Sequence, residues 1–145
     1  MEKFQLPIQV RWSDFDPNFH LRHSVYYDWA ALSRVTFLYS HGFTTELMTK
    51  LNFGPILLRE EAIFKKEIRP QDEVTVGLEL LKSRRDFSRW TIRHPIMKSG
   101  DTLSAILTVD GAWIDTVKRK LTIPPSEGAE AFNKMGKADE FTWSD

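Results

Sequence analysis

Cysteine is missing from the 145 residues, so disulfides, thiolate metal sites and a cysteine nucleophile are excluded. Net charge is missing as well: twenty acidic and twenty basic residues cancel. The chain as a whole therefore offers no electrostatic attraction to nucleic acid or to an anionic membrane, although local basic patches remain. No apolar run approaches the roughly 18 residues of a membrane-spanning helix, and the opening MEKFQLP has no signal-peptide core. The expectation is a soluble, cytoplasmic protein without a membrane span or a nucleic-acid partner. Aromatic residues, by contrast, are plentiful, with five Trp and ten Phe, and core packing is their commoner use beside lining a pocket or an interface. At 41% hydrophobic content the length suits one domain with a real core, residues 1–145, and is short for two.

The stretch from Arg11 to Arg34, RWSDFDPNFHLRHSVYYDWAALSR, organises the rest. Its first half gathers Asp14, Asp16, His20 and His23, and its second half is nearly unbroken apolar sequence. Val25, Trp29, Leu32 and Tyr39 recur at helical spacing while Tyr26, Ala30, Val35 and Phe37 fill other faces, so the spacing predicts a core helix over Ser24 to His41. Ser24 is the candidate N-cap, and Gly42 the candidate left-handed C-cap. A helix N-terminus has unpaired N–H groups and a partial positive charge. Placing Asp16 and His23 there brings a carboxylate, an imidazole and an oxyanion site together, a set suited to acyl-group hydrolysis. The plainer alternative is a polar Asp-Pro turn, in which aspartate bonds its own backbone.

The stretch resembles the hotdog-fold thioesterases of the 4-hydroxybenzoyl-CoA thioesterase type, including the YbgC-like acyl-CoA thioesterases. The family pattern looks like Y-x-D-T-D-x-x-G followed by a Tyr-rich helix ending E-x-A-R. Here Trp12-Ser13-Asp14-Phe15-Asp16 stands in the first part, and Tyr26, Trp29, Ser33 and Arg34 match the later positions. The resemblance covers about Val10 to Pro125. It implies an α+β hotdog fold with one long central helix wrapped by an antiparallel sheet, and acyl-CoA hydrolysis with Asp16 as the catalytic carboxylate. It also puts a histidine of the YbgC-like branch at His23. Two positions depart from the pattern: Phe19 replaces a usual glycine, and Ala31 a usual glutamate.

Along the rest of the chain, Phe4 to Trp12 alternates as a strand that Pro7 confines to an edge or cuts short. Thr45 to Leu51 reads as one short helical piece. Ile56 to Ile68, Val74 to Leu80, Trp90 to Ile96 and Thr102 to Asp115 read as strands. Pro95 suggests a bulge there, and His94, in phase with apolar neighbours, reads as a satisfied core histidine. Residues 126–145 read as a polar, partly frayed tail with one weak helix over Gly128 to Met135. One helix and a tail cannot cover both faces of such a sheet, so uncovered apolar surface predicts a second copy, as a homodimer or homotetramer. The resemblance agrees, because hotdog subunits dimerise by joining sheets.

The basic run KSRRDFSR, Lys82 to Arg89, is either a solvated hairpin tip or a phosphate site for CoA, since arginine binds phosphate bidentately. The resemblance favours the second, with Arg84 and Arg85 ahead of Lys82 and Arg89. The expected activity is therefore an acyl-CoA thioesterase with catalytic Asp16 and His23, substrate-binding Ser24, Tyr26, Arg84 and Arg85, and no metal or other cofactor. Asp14 is assigned to holding the loop, and Tyr26 to packing more than chemistry. Alternatives are a non-catalytic acyl-CoA-binding hotdog protein and a thioesterase acting on acyl-carrier protein. A hydratase motif, Asp-x4-His, is absent because Phe19 and Leu21 stand five beyond Asp14 and Asp16. A metallohydrolase built on Asp14, Asp16, His20 and His23 is the remaining rival.

Overall fold

The computed structural model describes residues 3–145. Helix α1 runs His23–Ser40, close to the predicted span. Its N-cap is Arg22, which makes no side-chain cap bond, so the helix starts two residues earlier than a Ser24 cap required. At the other end Gly42 is left-handed, at φ 79°. Its N–H reaches the Tyr39 carbonyl at 3.1 Å, and the Phe43 N–H reaches Leu38 at 2.9 Å. That double closure is a Schellman motif, and glycine enters its left-handed turn without steric cost.

The sheet order is β1 (Phe4–Ile8), β3 (Val74–Ser83), β4 (Arg89–Lys98), β5 (Thr102–Asp115), β2 (Phe53–Phe64). All of these neighbours pair antiparallel. A short β6 (Lys120–Thr122) pairs with β5. The second helix, α2 (Thr45–Leu51), matches its predicted span and is capped by the Thr44 side chain, which accepts the Leu47 N–H at 3.2 Å. Pro7 lies within β1 opposite Thr75, and it is tolerated because β1 is an edge strand, where a missing donor breaks no ladder on the open side. At the opposite edge β2 carries an irregularity between Leu57 and Arg59, which puts Glu60 on the helix-facing side and explains the broken alternation there.

The tail predicted to fray is ordered instead. It forms α3 (Ser126–Asn133) and β7 (Lys137–Trp143). Phe132 and Met135 are buried beside Trp90 and Trp113, which ties the segment to the core. The short β1 covers only Val74–Leu78 of the β3 edge, and β7 pairs parallel with the remainder, Leu80 to Ser83.

Two other expectations are corrected by the sheet. Helix α1 is not buried all round: Val25, Trp29, Ala30, Ser33 and Phe37 face the sheet, while Leu32, Val35 and Tyr39 are about half exposed. The outer sheet face is polar. Arg93 pairs with Glu79 at 2.6 Å and Glu140 at 2.8 Å, Lys3 with Glu79 at 3.1 Å, and Thr91 with Asp110 at 2.7 Å. The uncovered apolar surface is therefore a band on α1 and along β2, where Leu57, Leu58, Ile63 and Phe64 are exposed.

The core has one tight approach. A Cβ on Gly111 would lie 2.1–2.5 Å from the Trp90 ring, so the indole rests directly on the β5 backbone. Trp90 is in turn hemmed by Phe132 at 5.1 Å and Trp113 at 6.5 Å. Gly111→Ala should lower stability by about 1–3 kcal/mol through overpacking, read as a lower urea midpoint. An unchanged midpoint would mean the indole moves aside freely.

Candidate active site

The loop before α1 separates the two aspartates by environment. Asp14 is fully buried, with its Oδ2 accepting the Arg11 N–H at 2.9 Å and its Oδ1 the Arg11 guanidinium at 3.0 Å. Asp16 is 37% exposed at its side chain. Its Oδ1 accepts the N–H groups of Asn18 and His20 at 2.9 and 3.0 Å. Backbone bonds between Asp16 and His20, and from Phe19 to Asp16, close the turn. Oδ2 makes no hydrogen bond among the described residues, and its near neighbour is His20 Nδ1 at 3.9 Å.

Phe19 adopts φ 62°, the left-handed region that glycine takes without cost and that other residues occupy under strain. The departure from the glycine of the family pattern is thus one of residue type at a position where the turn still demands glycine-like backbone. Phe19 lines an apolar depression beside Asp16, with Trp12, Phe15, Pro17 and Pro70.

His23 opens α1 and stacks on Phe64 at 5.0 Å. Tyr26 is buried beneath it, edge-on to Phe64 at 4.9 Å, and burial raises its phenol above the usual range. Both line a depression with His20 and Phe64, while Asp16 belongs to the apolar one. His20 is thus the histidine brought nearest to Asp16, a residue that sequence reasoning weighed only as a metal ligand. Ser24 is exposed in the first turn of α1. Among the described residues no group of three His, Asp or Glu side chains is placed to hold a metal ion.

The basic connection divides. Lys82, Arg84 and Arg89 line a groove of about 410 Å³ with Leu58, Asp110 and Ser144. Arg85 turns away, with its guanidinium 5.1 Å from the Trp143 ring centre and its N–H donating to Asp145 at 3.0 Å. The structure therefore groups Lys82 and Arg89, the secondary candidates, with Arg84, and separates Arg85 from them.

One cluster carried no functional assignment in the sequence, where His94 read as a satisfied core histidine and Arg34 as a match to the family pattern. Arg34 of α1 donates from Nη1 to His94 Nε2 at 2.9 Å, and the His94 ring donates from Nδ1 to the Gly77 carbonyl at 2.9 Å. Pro95, which faces Gly77, has no N–H to offer that carbonyl. Arg34 Nη2 lies 3.7 Å from Glu60. Burial, with the Arg34 charge added, pushes His94 down to about 3, so the ring is neutral and fixed as the Nδ1–H tautomer. The available signals were an arginine inside an apolar helix and a glutamate at the break in the β2 alternation.

The thioesterase-like superfamily matches residues 10–132, and the chain belongs to that superfamily, which makes it a thioester hydrolase. No curated protein sequence matches. Among solved structures, a hypothetical protein from Aquifex aeolicus is similar at 23% identity, covering 89% of this chain and 98% of its own, with TM-score 0.80. A hypothetical protein from Staphylococcus aureus, solved in complex with CoA, is 20% identical over 99% of this chain and 90% of its own, with TM-score 0.83. A 1,4-dihydroxy-2-naphthoyl-CoA thioesterase from Synechocystis is 16% identical over 92% and 97%, with TM-score 0.81. These likenesses establish the hotdog fold. Among the described residues no helix is long and apolar enough to cross a membrane.

The His94 environment sets a pH dependence. Its folded value, about 3, lies below the ordinary 6.5 of an unfolded chain, so the unfolded state binds a proton that the folded state refuses. This contribution is complete above pH 6.5 and is lost as pH falls toward 3. Between pH 7 and pH 5 the loss should be about 2 kcal/mol. His94→Gln should lower stability at pH 7 yet flatten that interval by the same amount in urea titrations. Equal slopes in both proteins would show that His94 titrates normally.

Proposed function

We propose that the protein hydrolyses an acyl-CoA thioester to the free acid and CoA, with Asp16 as nucleophile or as general base on a water. The observation that carries this reading is the asymmetric carboxylate. One oxygen of Asp16 is fastened by two backbone amides, and the other makes no hydrogen bond among the described residues, with His20 Nδ1 its near neighbour at 3.9 Å. With Asp16 as base, the water oxygen adds to the thioester carbon, its proton goes to Asp16, and the C–S bond breaks to release CoA thiolate, which takes up a proton. The first amides of α1, at His23 and Ser24, stabilise the developing oxyanion. His23 orients water or protonates the thiolate, and Tyr26 forms the floor under its depression.

The basic groove supports CoA as the leaving thiol, through Lys82, Arg84 and Arg89 on its phosphates. That CoA was found in the similarly folded Staphylococcus aureus protein agrees. Within one chain, however, the groove lies past the Ser83 end of β3, and the Asp16 loop lies by Pro70, before its Val74 end. Ten residues of strand at roughly 3.3 Å each separate them by about 30 Å. A second copy resolves the mismatch. Among the described residues the outer edge of β2 is open, the His23 stack sits at its Phe64 end, and the groove's Arg89 is in register, through Ala112, with Ile56 toward its Phe53 end. Antiparallel pairing of two β2 edges would bring the groove of one copy to the Asp16 loop of the other. It would also cover the apolar band on α1 and β2.

Asp16→Asn keeps an Oδ1 acceptor for both amides and removes only charge and basicity. It should lower kcat by roughly 10² to 10⁴ with binding of CoA esters nearly intact. Asp14→Asn should instead cost about 1–3 kcal/mol of stability, with a much smaller loss in kcat. Retention of more than about a tenth of wild-type kcat in Asp16→Asn would sink the assignment.

Replacing Arg84 and Arg89 by Ala should raise KM for acyl-CoA with little change in kcat, and replacing Arg85 should not. If sites are shared, co-expressing Asp16→Asn chains with Arg84/Arg89→Ala chains leaves one intact site in each mixed dimer. Random pairing should then recover about a quarter of the wild-type rate at low substrate. No recovery would mean that each chain works alone.

A further inference from the structure

Between α1 and the sheet lies a cavity of about 160 Å³, which is part of neither the Asp16 loop nor the basic groove. Its walls include Val35 and Leu38 of α1, Leu57 of β2, Trp90 and Ile92 of β4, and Phe132 of α3. Among the described residues Arg34 is the one charged residue on them. In size the cavity is close to the roughly 150 Å³ at which an engineered apolar cavity holds a benzene ring. Such a space could simply be a packing defect, were it not for the guanidinium.

Arg34 is 12% exposed at its side chain, and burying a cation is costly unless its donors are met. Of its five N–H donors, one is met by His94. His94 is neutral and brings no compensating charge. Glu60, at 3.7 Å, supplies a compensating charge but is beyond hydrogen-bond distance, so it meets none of the donors. Nε makes no hydrogen bond among the described residues. A donor-only cation, incompletely satisfied, thus stands in the wall of an apolar space of ring size. The chemistry it lacks is an oxygen acceptor carried on an apolar body.

We propose that this cavity takes the far end of the acyl group, and that it selects a ring-sized apolar group bearing a carbonyl or carboxylate oxygen for Arg34. The inference rests on the thioesterase reading above. Pro55 and Leu57, in the cavity wall, belong to the β2 segment that the proposed pairing brings toward the partner's Asp16 loop. A thioester held at that loop would then point its acyl group at the cavity. The rival account is that Arg34 is only a strut, tying α1 to β4 through His94 and to β2 through Glu60.

The test uses the full-length protein and three probes that share a ring: benzoate, acetophenone and toluene. Trp90 lines the cavity, and its indole N–H, buried without a hydrogen-bond partner among the described residues, reports occupancy by NMR. All bound probes should move that resonance, and benzoate and acetophenone should bind roughly tenfold to a hundredfold more tightly than toluene, the range for a hydrogen bond to a charged group. Arg34→Met should abolish the preference while toluene still binds. Should that variant fail to fold, the wild-type comparison stands by itself. Equal affinities for the three probes in the wild type, or a Trp90 resonance that none of them moves, would overturn the proposal. Hydrolysis of phenylalkanoyl-CoA esters with and without a ring acetyl group should show the same preference in kcat/KM. The binding arm contains no thioester. Selectivity there without any hydrolysis would refute the thioesterase reading and uphold the cavity, and hydrolysis without selectivity would do the reverse.

Discussion

The packing of one helix face against one sheet is the constraint on which the rest depends. Helix α1 has a single broad surface to bury against, and Val25, Trp29, Ala30, Ser33 and Phe37 take it. Apolar burial is proportional to area removed from water, so this contact fixes the helix axis over β3, β4 and β5. Both helix ends then acquire defined positions. The N-terminus meets the Asp14 to His20 loop, and the Schellman closure at Gly42 returns the chain toward α2 and β2. The leftover apolar face of α1 follows from the same geometry, since a lone sheet has no second surface to offer it.

Two aspartates of the same chemistry, two residues apart, are made different by where their oxygens go. Asp14 is enclosed and both oxygens face Arg11, which leaves nothing for a substrate. Asp16 uses one oxygen to shape a turn and leaves the other unbonded. The left-handed Phe19 is part of the same turn, and strain of that kind persists only where surrounding bonds overdetermine the backbone. The closures from Asp16 to His20 and from Phe19 to Asp16 supply that overdetermination.

Charge is distributed by the sheet in a similar way. On the outer face, acids and bases are paired across neighbouring strands and satisfy one another, with Glu79 buried between Arg93 and Lys3. On the inner face, one arginine is carried under cover, where each unmet donor matters more because the dielectric is lower. The basic groove differs from both, since Lys82, Arg84 and Arg89 share it with the single carboxylate of Asp110. A polyanion suits it better than any protein group in this chain.

Local signals in the sequence located β1 to β5, although β1 ends at Ile8 and not Trp12 and β2 runs Phe53–Phe64 and not Ile56 to Ile68. They also set the extent of α1 and α2, the left-handed Gly42 and the restriction of the Pro7 strand to an edge or a shortened span. His94 could be read as a buried, bonded histidine from its phase alone. Each of these follows from a period of 2 or 3.6 or from a residue's own backbone limits, which act over a few neighbours. Tertiary structure alone decided what depends on distant pairing. The tail became α3 and β7 because β1 is too short to cover the β3 edge and because Phe132 and Met135 find a core to enter. Arg85 left the basic groove because Trp143, nearly sixty residues away, offered its ring. Arg34, His94 and Glu60 come from a helix and two strands, and no spacing in the chain announces their meeting. The polarity of the outer face, too, is a property of strands placed side by side, since a charge in one strand is neutral or costly only according to what the next strand sets opposite it.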